Sequence, residues 1–252
     1  MLAKERQTLI YQILQKNGAV TASTLVSSLD VSLETIRRDL LAMEKQGLLN
    51  RVHGGAVTSG NMQPIVSLKQ RHQEHQQAKQ ELAQKVLPFI EEGDIIGLDS
   101  GSTAIAVAQA LKTVFTKLTV VTYSSDVFDL LKGHADYRLI LCGGHYLKNE
   151  NAFYGPLALE TLKHLHMQKA FIFPSSVSLE YGIGNTLQEL HLMQQQLLHN
   201  ADHVYILADS SKFEKHALLK ISDMKQEYCY ITDNALPVEF KKLYTENNYR
   251  LY

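Results

Sequence analysis

Two short stretches of this chain have residue types and spacings that can do chemistry on phosphates. The first is Ser32-Leu33-Glu34-Thr35-Ile36-Arg37-Arg38. A guanidinium can pair bidentately with a guanine edge or a phosphate, and nearby hydroxyls can hold phosphate oxygens. The second is Asp99-Ser100-Gly101-Ser102-Thr103, which leads into a helical pattern. Small hydroxylated residues at a helix start offer free N–H groups and a favourable dipole to an anion. Each stretch also has a plainer reading. Glu34 and Arg38 can form an (i, i+4) pair on a solvated face, and Ser100 or Ser102 can simply cap its helix. From five residues alone, the cap and the anion site stand level.

The elements around the first stretch shift the balance toward DNA. Leu2, Leu9, Ile10, Ile13 and Leu14 recur at helical spacing, and Asn17-Gly18 stops them. Thr21 is placed to cap a second short helix carrying Ala22, Leu25, Val26 and Leu29 on one face. A tight turn at Asp30-Val31 leads to a third helix, capped by Ser32 and ended by Gly47. At about 100° per residue, Leu33, Ile36, Leu40 and Met43 share the core side. Arg38 falls opposite, flanked by Glu34 and Lys45, with Thr35 and Arg37 on the two edges. That is the layout of a recognition helix: Arg38 for base edges, and Arg37, Thr35 and Ser32 for the backbone. Leu48 to Val52 reads as a strand running through His53 into Gly54-Gly55, the shape of a wing, with Arg51 and His53 toward the DNA backbone.

From Arg6 to Val57 the chain resembles the DeoR family of bacterial sugar-operon repressors, carried by Arg6, Ile10 and Leu14, by SLETIRRDL at 32–40 and by EKQGLLNRVHGGA at 44–56. The resemblance implies operator binding by Ser32, Thr35, Arg37 and Arg38. Asp39 belongs to the same pattern and reads as structural.

Residues 58–70 contain Ser, Gly, Asn and Pro and read as a linker between a DNA-binding domain at 1–57 and a domain at 71–252. Lys69 to Gln84 is expected to be one polar helix, with His72, His75, His164 and His166 as surface histidines rather than metal ligands. Beyond Asp94, strands at 94–98, 118–122, 138–141, 169–173, 203–208 and 228–232 alternate with helices at 103–112, 125–133, 156–166, 186–200 and 237–247. This alternation predicts a mostly parallel sheet covered on both faces. Ligands of such sheets bind beyond the carboxyl ends of the strands. There stand Asp99, Ser100, Gly101, Ser102 and Thr103, then Thr122 and Ser124, Gly143 and Gly144, Ser175, and Asp209, Ser210 and Lys212.

These segments, with Gly155-Pro156 and Lys169-Ala170-Phe171, resemble the DeoR-type sensor domain, whose fold is similar to ribose-5-phosphate isomerase. The fold class expected is therefore α/β, a winged helix-turn-helix followed by an isomerase-like sensor. The resemblance implies a phosphorylated sugar as effector, Lys169 in its site, and an oligomerising domain. Three positions depart from the family pattern. Tyr123 stands where Asn is usual between Thr and Ser. Phe173-Pro174-Ser175-Ser176 replaces a Gly-Ala-Asp-Gly type segment, and Gln194 replaces a helical Lys.

The chain as a whole permits this reading. Its 252 residues are 45% hydrophobic and 20% charged, an ordinary folded balance. The first 57 residues carry seven Lys/Arg and five Asp/Glu, net +2, and the remainder is net −3. The start lacks a signal-peptide core, no stretch approaches a membrane span, and Cys142 and Cys229 stand far apart. A cytoplasmic protein without cofactor or metal is expected, acting as an even-numbered homo-oligomer on two-fold operator DNA. Two other readings compete. A sugar-phosphate isomerase or deaminase would need a general base, for which Asp99, Asp209 and Glu189 are the available carboxylates; no paired carboxylates or Ser-His-Asp ordering stands out. A constitutive regulator with a degenerate sensor would explain the three departures.

Overall fold

The computed structural model describes residues 1–52, 54–58, 66–134 and 136–252. The N-terminal part runs α1 (Ala3–Asn17), β1 (Ala19–Thr21), α2 (Ala22–Leu29), α3 (Leu33–Lys45), β2 (Leu49–Val52) and β3 (Gly55–Thr58). Its boundaries follow from local chemistry. Gly18 takes the left-handed conformation that ends α1, and Asp30 does the same after α2. The Thr21 and Ser32 hydroxyls accept the Thr24 and Thr35 N–H groups at 3.1 and 3.2 Å, capping α2 and α3. β2 and β3 pair antiparallel with Val52 opposite Gly55, and β3 also pairs with β1, so the wing is a three-stranded sheet. His53 falls outside the described residues.

One ion pair fixes how α3 is presented. The Arg6 guanidinium of α1 donates from Nε and Nη2 to the two carboxylate oxygens of Asp39 on α3, and both side chains are buried. Gln7 adds a third donor at 3.3 Å. Leu33 does not join the core as its angle predicts; it is 42% exposed. It is the first residue of α3, and the buried stripe begins one turn later, at Ile36.

The C-terminal domain begins with α4 (Leu68–Gln73) and α5 (Gln76–Val86), then β4 (Ile95–Leu98), α6 (Ser102–Val114), β5 (Thr119–Thr122), α7 (Ser125–Leu131) and β6 (Arg138–Leu141). A hairpin follows, β7 (His145–Leu147) and β8 (Ala152–Tyr154), then α8 (Pro156–Lys163) and β9 (Met167–Ile172). Next come β10 (Ser176–Ser178), β11 (Gly182–Asn185), α9 (Gln188–His199), β12 (Ala201–Leu207), β13 (Leu219–Ser222), β14 (Cys229–Ile231), α10 (Val238–Glu246) and β15 (Arg250–Leu251).

Seven strands form the main sheet, in the order β15-β14-β12-β9-β4-β5-β6, and every pairing is parallel. Successive residues face opposite cores. Phe171 and Leu207 pack with α5, α6 and α7, whereas Ile172 and Ile206 pack with α8, α9 and α10. The single helix expected over 69–84 is two. His75 sits at φ 50°, a left-handed residue that breaks the run and turns α5 back along α6. α4 begins at Leu68, inside the stretch expected as linker. The small antiparallel sheet β10-β11-β13 and the β7-β8 hairpin were not foreseen.

That small sheet meets the N-terminal domain. Leu218 packs into its core, and Gly47, at φ 69°, lies against the Tyr181 and His216 rings so closely that a Cβ there would be 2.9 Å from the Tyr181 hydroxyl. Thr8 donates to Gln188 at 3.3 Å.

Replacing Arg6 with Met should destabilise the N-terminal domain by about 3–5 kcal/mol, because Asp39 is left as an unpaired buried carboxylate. Urea unfolding followed by circular dichroism measures this. A second expectation concerns acid. His191 and His216 are buried with Nδ1 unpartnered among the described residues, and burial lowers both pKa values from 6.5. Lys4 lowers His191 further, while Glu180 and Glu214 partly offset the effect at His216. A depressed imidazole favours the folded state above its unfolded pKa of about 6.5 and loses that contribution as pH falls through the lower folded value. The melting temperature should therefore drop below about pH 6.5, and His216→Gln should shrink the drop.

Candidate functional site

The outer face of α3 is open. Arg37 and Arg38 are exposed, and Arg38 lies 3.4 Å from Glu34 with both side chains largely in solvent. An exposed pair of this kind contributes little stability, so the guanidinium is free to exchange Glu34 for a base edge. Ser32 and Thr35 share a hydroxyl contact of 2.8 Å at the N-terminus of the helix. Two predicted residues are held differently. Arg51 is folded onto Glu44, with Nε to Oε2 at 2.7 Å and its N–H to Oε1 at 3.0 Å. That contact holds the Glu44 carboxyl below its usual pKa. Lys45 is exposed at the far end of α3, on the rim of a 630 Å³ cavity shared with Tyr181, Gly182 and Lys220 of the C-terminal domain.

The second site lies beyond the carboxyl ends of β4, β9 and β12. Ser100, Gly101, Ser102 and Thr103 line a cavity of about 50 Å³ together with Ser175, Asp209 and Lys212. Gly101, at φ 110°, is the N-cap of the 13-residue α6 and supplies no side-chain cap. Neither serine caps α6, which decides against the plainer reading of this loop. The first residues of α6 thus line the cavity at the positive end of the helix dipole.

Three cations surround that opening: Lys212, Arg71 of α4 and Lys79 of α5. Lys79 is 7% exposed; its ammonium donates to the Arg71 and Glu74 carbonyls across the α4–α5 break, and burial pulls its pKa below the usual lysine range. Arg71 pairs with the buried Glu150 and donates to the Val66 carbonyl at 3.1 Å. Sequence reasoning missed Arg71 and Lys79. They stand before β4, the first strand of the main sheet, and the left-handed His75 between α4 and α5 brings them to the cavity at the start of α6.

Other predicted residues are elsewhere. Lys169 is corrected: it forms a buried pair with Asp94 and stands opposite Ile96, at the amino end of the sheet. Thr122 and Ser124 are buried, with hydroxyls accepting the Ser124 and Val127 N–H groups at 3.1 and 3.3 Å. Gly143 and Gly144 do not line the cavity. Gly144 allows close packing instead, since a Cβ there would be 2.6 Å from the Tyr154 carbonyl. Ser210 turns its N–H to Asp233 at 2.6 Å. Asp209 accepts the N–H and hydroxyl of Ser211, which fixes the turn bearing Lys212.

Asp99, the residue before this loop, does not itself line the cavity. It is fully buried and accepts from the Tyr123 hydroxyl, the Ser100 and Phe173 N–H groups and Gln194 Nε2. Burial raises its carboxyl above the usual range, and these four donors oppose the rise. Two of the three departures, Tyr123 and Gln194, thus hold Asp99 directly, and the third supplies the Phe173 N–H.

Two family models match this chain. Residues 6–60 match the DeoR-like helix-turn-helix domain, and residues 74–234 match the DeoR C-terminal sensor domain. The L-fucose operon activator of Haemophilus influenzae is 32% identical, covering 94% of each chain. The lactose phosphotransferase system repressor of Lactococcus lactis subsp. lactis is 33% identical, over 94% of this chain and 93% of that protein. Among solved structures, ribose 5-phosphate isomerase A from Neisseria gonorrhoeae covers 54% of this chain and 52% of its own, with 19% identity and a TM-score of 0.41. Among the described residues, no helix is long and apolar enough to cross a membrane. With both domain models matched in order along nearly its whole length, the chain belongs to the DeoR family of transcriptional regulators, a DNA-binding helix-turn-helix joined to a sensor domain.

Proposed function

We propose that this protein represses a sugar-utilisation operon and that a phosphorylated sugar, bound at the start of α6, controls its hold on the operator. The observation that carries the reading is the uncapped N-terminus of α6 facing Arg71, Lys79 and Lys212 across one small cavity. Backbone N–H groups with a converging set of cations suit a phosphate dianion. On the DNA side, Arg38 reads base edges, with Glu34 released to accept from a cytosine amine. Arg37, Thr35 and Ser32 hold phosphates, and Arg51, His53 and Lys45 add backbone contacts at the wing and the end of α3. The domains act as units at 1–57 and 71–252, paired in an even-numbered oligomer in the cytoplasm.

Catalysis is the weaker reading. A general base needs a free lone pair near the substrate; Asp99 has donors on both oxygens, and Asp209 gives one of its oxygens to Ser211. Names of relatives favour regulation too: they are an activator and repressors of sugar operons and a lactose transport system.

Titrating the protein onto DNA from upstream of its own and neighbouring genes, with and without phosphosugars, tests the proposal. A phosphosugar should change operator affinity, and Lys212→Ala should weaken that ligand by about 1.5–3 kcal/mol through loss of a charge-assisted contact. Equal ligand binding by wild type and variant would remove Lys212 from the site. On the DNA face, Arg38→Ala should cost about 1–3 kcal/mol and relax discrimination at one or two base pairs. Arg37→Ala should weaken all sequences alike and flatten the salt dependence. Indistinguishable variants would refute the division of labour between the two arginines.

A further inference from the structure

One guanidinium reaches three separate parts of the molecule. Arg71 belongs to α4, which lies between the matched domains at residues 6–60 and 74–234. Its Nε donates to the Val66 carbonyl at 3.1 Å, within the same connecting segment. Its Nη2 donates to the Glu150 carboxylate, in the turn of the β7–β8 hairpin. Its Nη1 lies over the start of α6, where a Cβ on Gly101 would stand 3.6 Å away. Among the described residues no acceptor meets Nη1. A guanidinium carries five N–H donors in one plane. With Nε and Nη2 each using one, the Nη1 edge remains for a charge-assisted contact to a phosphate.

Arg71 also stands between two cavities. It lines the small one at the start of α6. Its partners Val66 and Glu150 line another, of about 900 Å³, which Thr8 and Gln12 of α1 border from the DNA-binding side. The Arg71–Glu150 contact is hard to give up. The Glu150 side chain is 5% exposed, and burial raises its pKa while Arg71 opposes the rise. Removing the cation would strand a buried carboxylate. An anion at α6 is therefore met by the open Nη1 edge, with Glu150 still paired. Lys79 holds the backbone of the same residue, donating to the Arg71 carbonyl.

We propose that Arg71 ties the ligand to the segment joining the two domains: Nη1 takes a phosphoryl group at the start of α6 while Nε and Nη2 keep Val66 and Glu150, so that ligand fastens Val66 and α4 onto the sensor domain. The proposal rests on reading the cavity at the start of α6 as the phosphate site. A ligand held by Lys212 and α6 alone would leave the connecting segment as it was. One held by Arg71 as well favours the docked segment, and the docked segment favours the ligand by the same factor.

Hydrogen exchange of the full chain, read by mass spectrometry with and without saturating inorganic phosphate, ribose 5-phosphate or glucose 6-phosphate, is the test. Isothermal titration reports binding of the same compounds. In wild type, whichever of them binds most tightly should slow exchange at least about fivefold both in residues 100–105 and in residues 66–74. Arg71→Gln combined with Glu150→Gln removes both charges and strands neither. At saturation it should still slow residues 100–105 while changing residues 66–74 by less than about twofold. Should the double variant fail to fold, the wild-type pattern alone decides. Slowing confined to residues 100–105 in wild type overturns the proposal and leaves the reading of the cavity standing. So does a double variant whose residues 66–74 slow as in wild type. If none of the three compounds binds, or none slows residues 100–105, the reading of the cavity fails and this proposal with it.

Discussion

Asp99 is the constraint on which the C-terminal domain is organised. A carboxylate removed from water must find hydrogen-bond donors or be neutralised. Here the donors come from four places: the residue after it, the ends of β5 and β9, and the middle of α9. Satisfying one group therefore fixes the relative positions of three adjacent strands and a helix on the far face of the sheet. Ser100 turns its N–H to Asp99, the next residue Gly101 takes φ 110°, and α6 begins there without a side-chain cap.

The N-terminal domain solves a similar problem with fewer parts. Arg6 and Asp39 are buried, and their pairing joins α1 to α3 at the turn after Arg37 and Arg38. Breaking such a pair costs more than the pair contributes, because one charge is stranded. This makes it a fastener: α3 cannot rotate about its axis without exposing Asp39 or unpairing it. The exposed arginines are held in direction by a contact on the opposite face of their own helix.

Much of this was legible from spacing. Periods of 3.6 and 2 placed six of the seven main-sheet strands and their helices within a few residues, since each of those elements buries a continuous face; the edge strand β15, two residues long, was not read. Caps at Thr21 and Ser32 and the stop at Gly18 were readable because they depend on one residue each. The strands of the small sheet are only three or four residues long and each carries a glycine or a serine, too short a run for alternation to mark a strand. Lys169 went astray for another reason. Its segment is a strand as expected, but a motif does not say which end of a strand a side chain serves, and Asp94 holds it at the amino end. Arg71 and Lys79 were invisible because their position depends on a single non-glycine left-handed residue, His75, which no local pattern demands.

The same buried network carries a consequence for how the two domains can influence each other. Ser175, on the cavity wall, contacts Asn185 at 3.2 Å and Thr186 at 3.4 Å. Two residues later Gln188 accepts from Thr8 of α1, and Tyr181, just ahead of β11, lies against Gly47 behind α3. The stretch from Tyr181 to Gln188 thus touches the cavity at one point and the DNA-binding domain at two. Contiguity of this kind is not coupling. A ligand changes operator affinity only by the difference between its affinities for two arrangements of these contacts. With Asn185 also fastened to Gln194, and Gln194 to Asp99, the inner part of that stretch has little freedom. Any second arrangement must therefore arise at its edges, where single contacts at Ser175, Thr8 and Gly47 can exchange without stranding a buried charge.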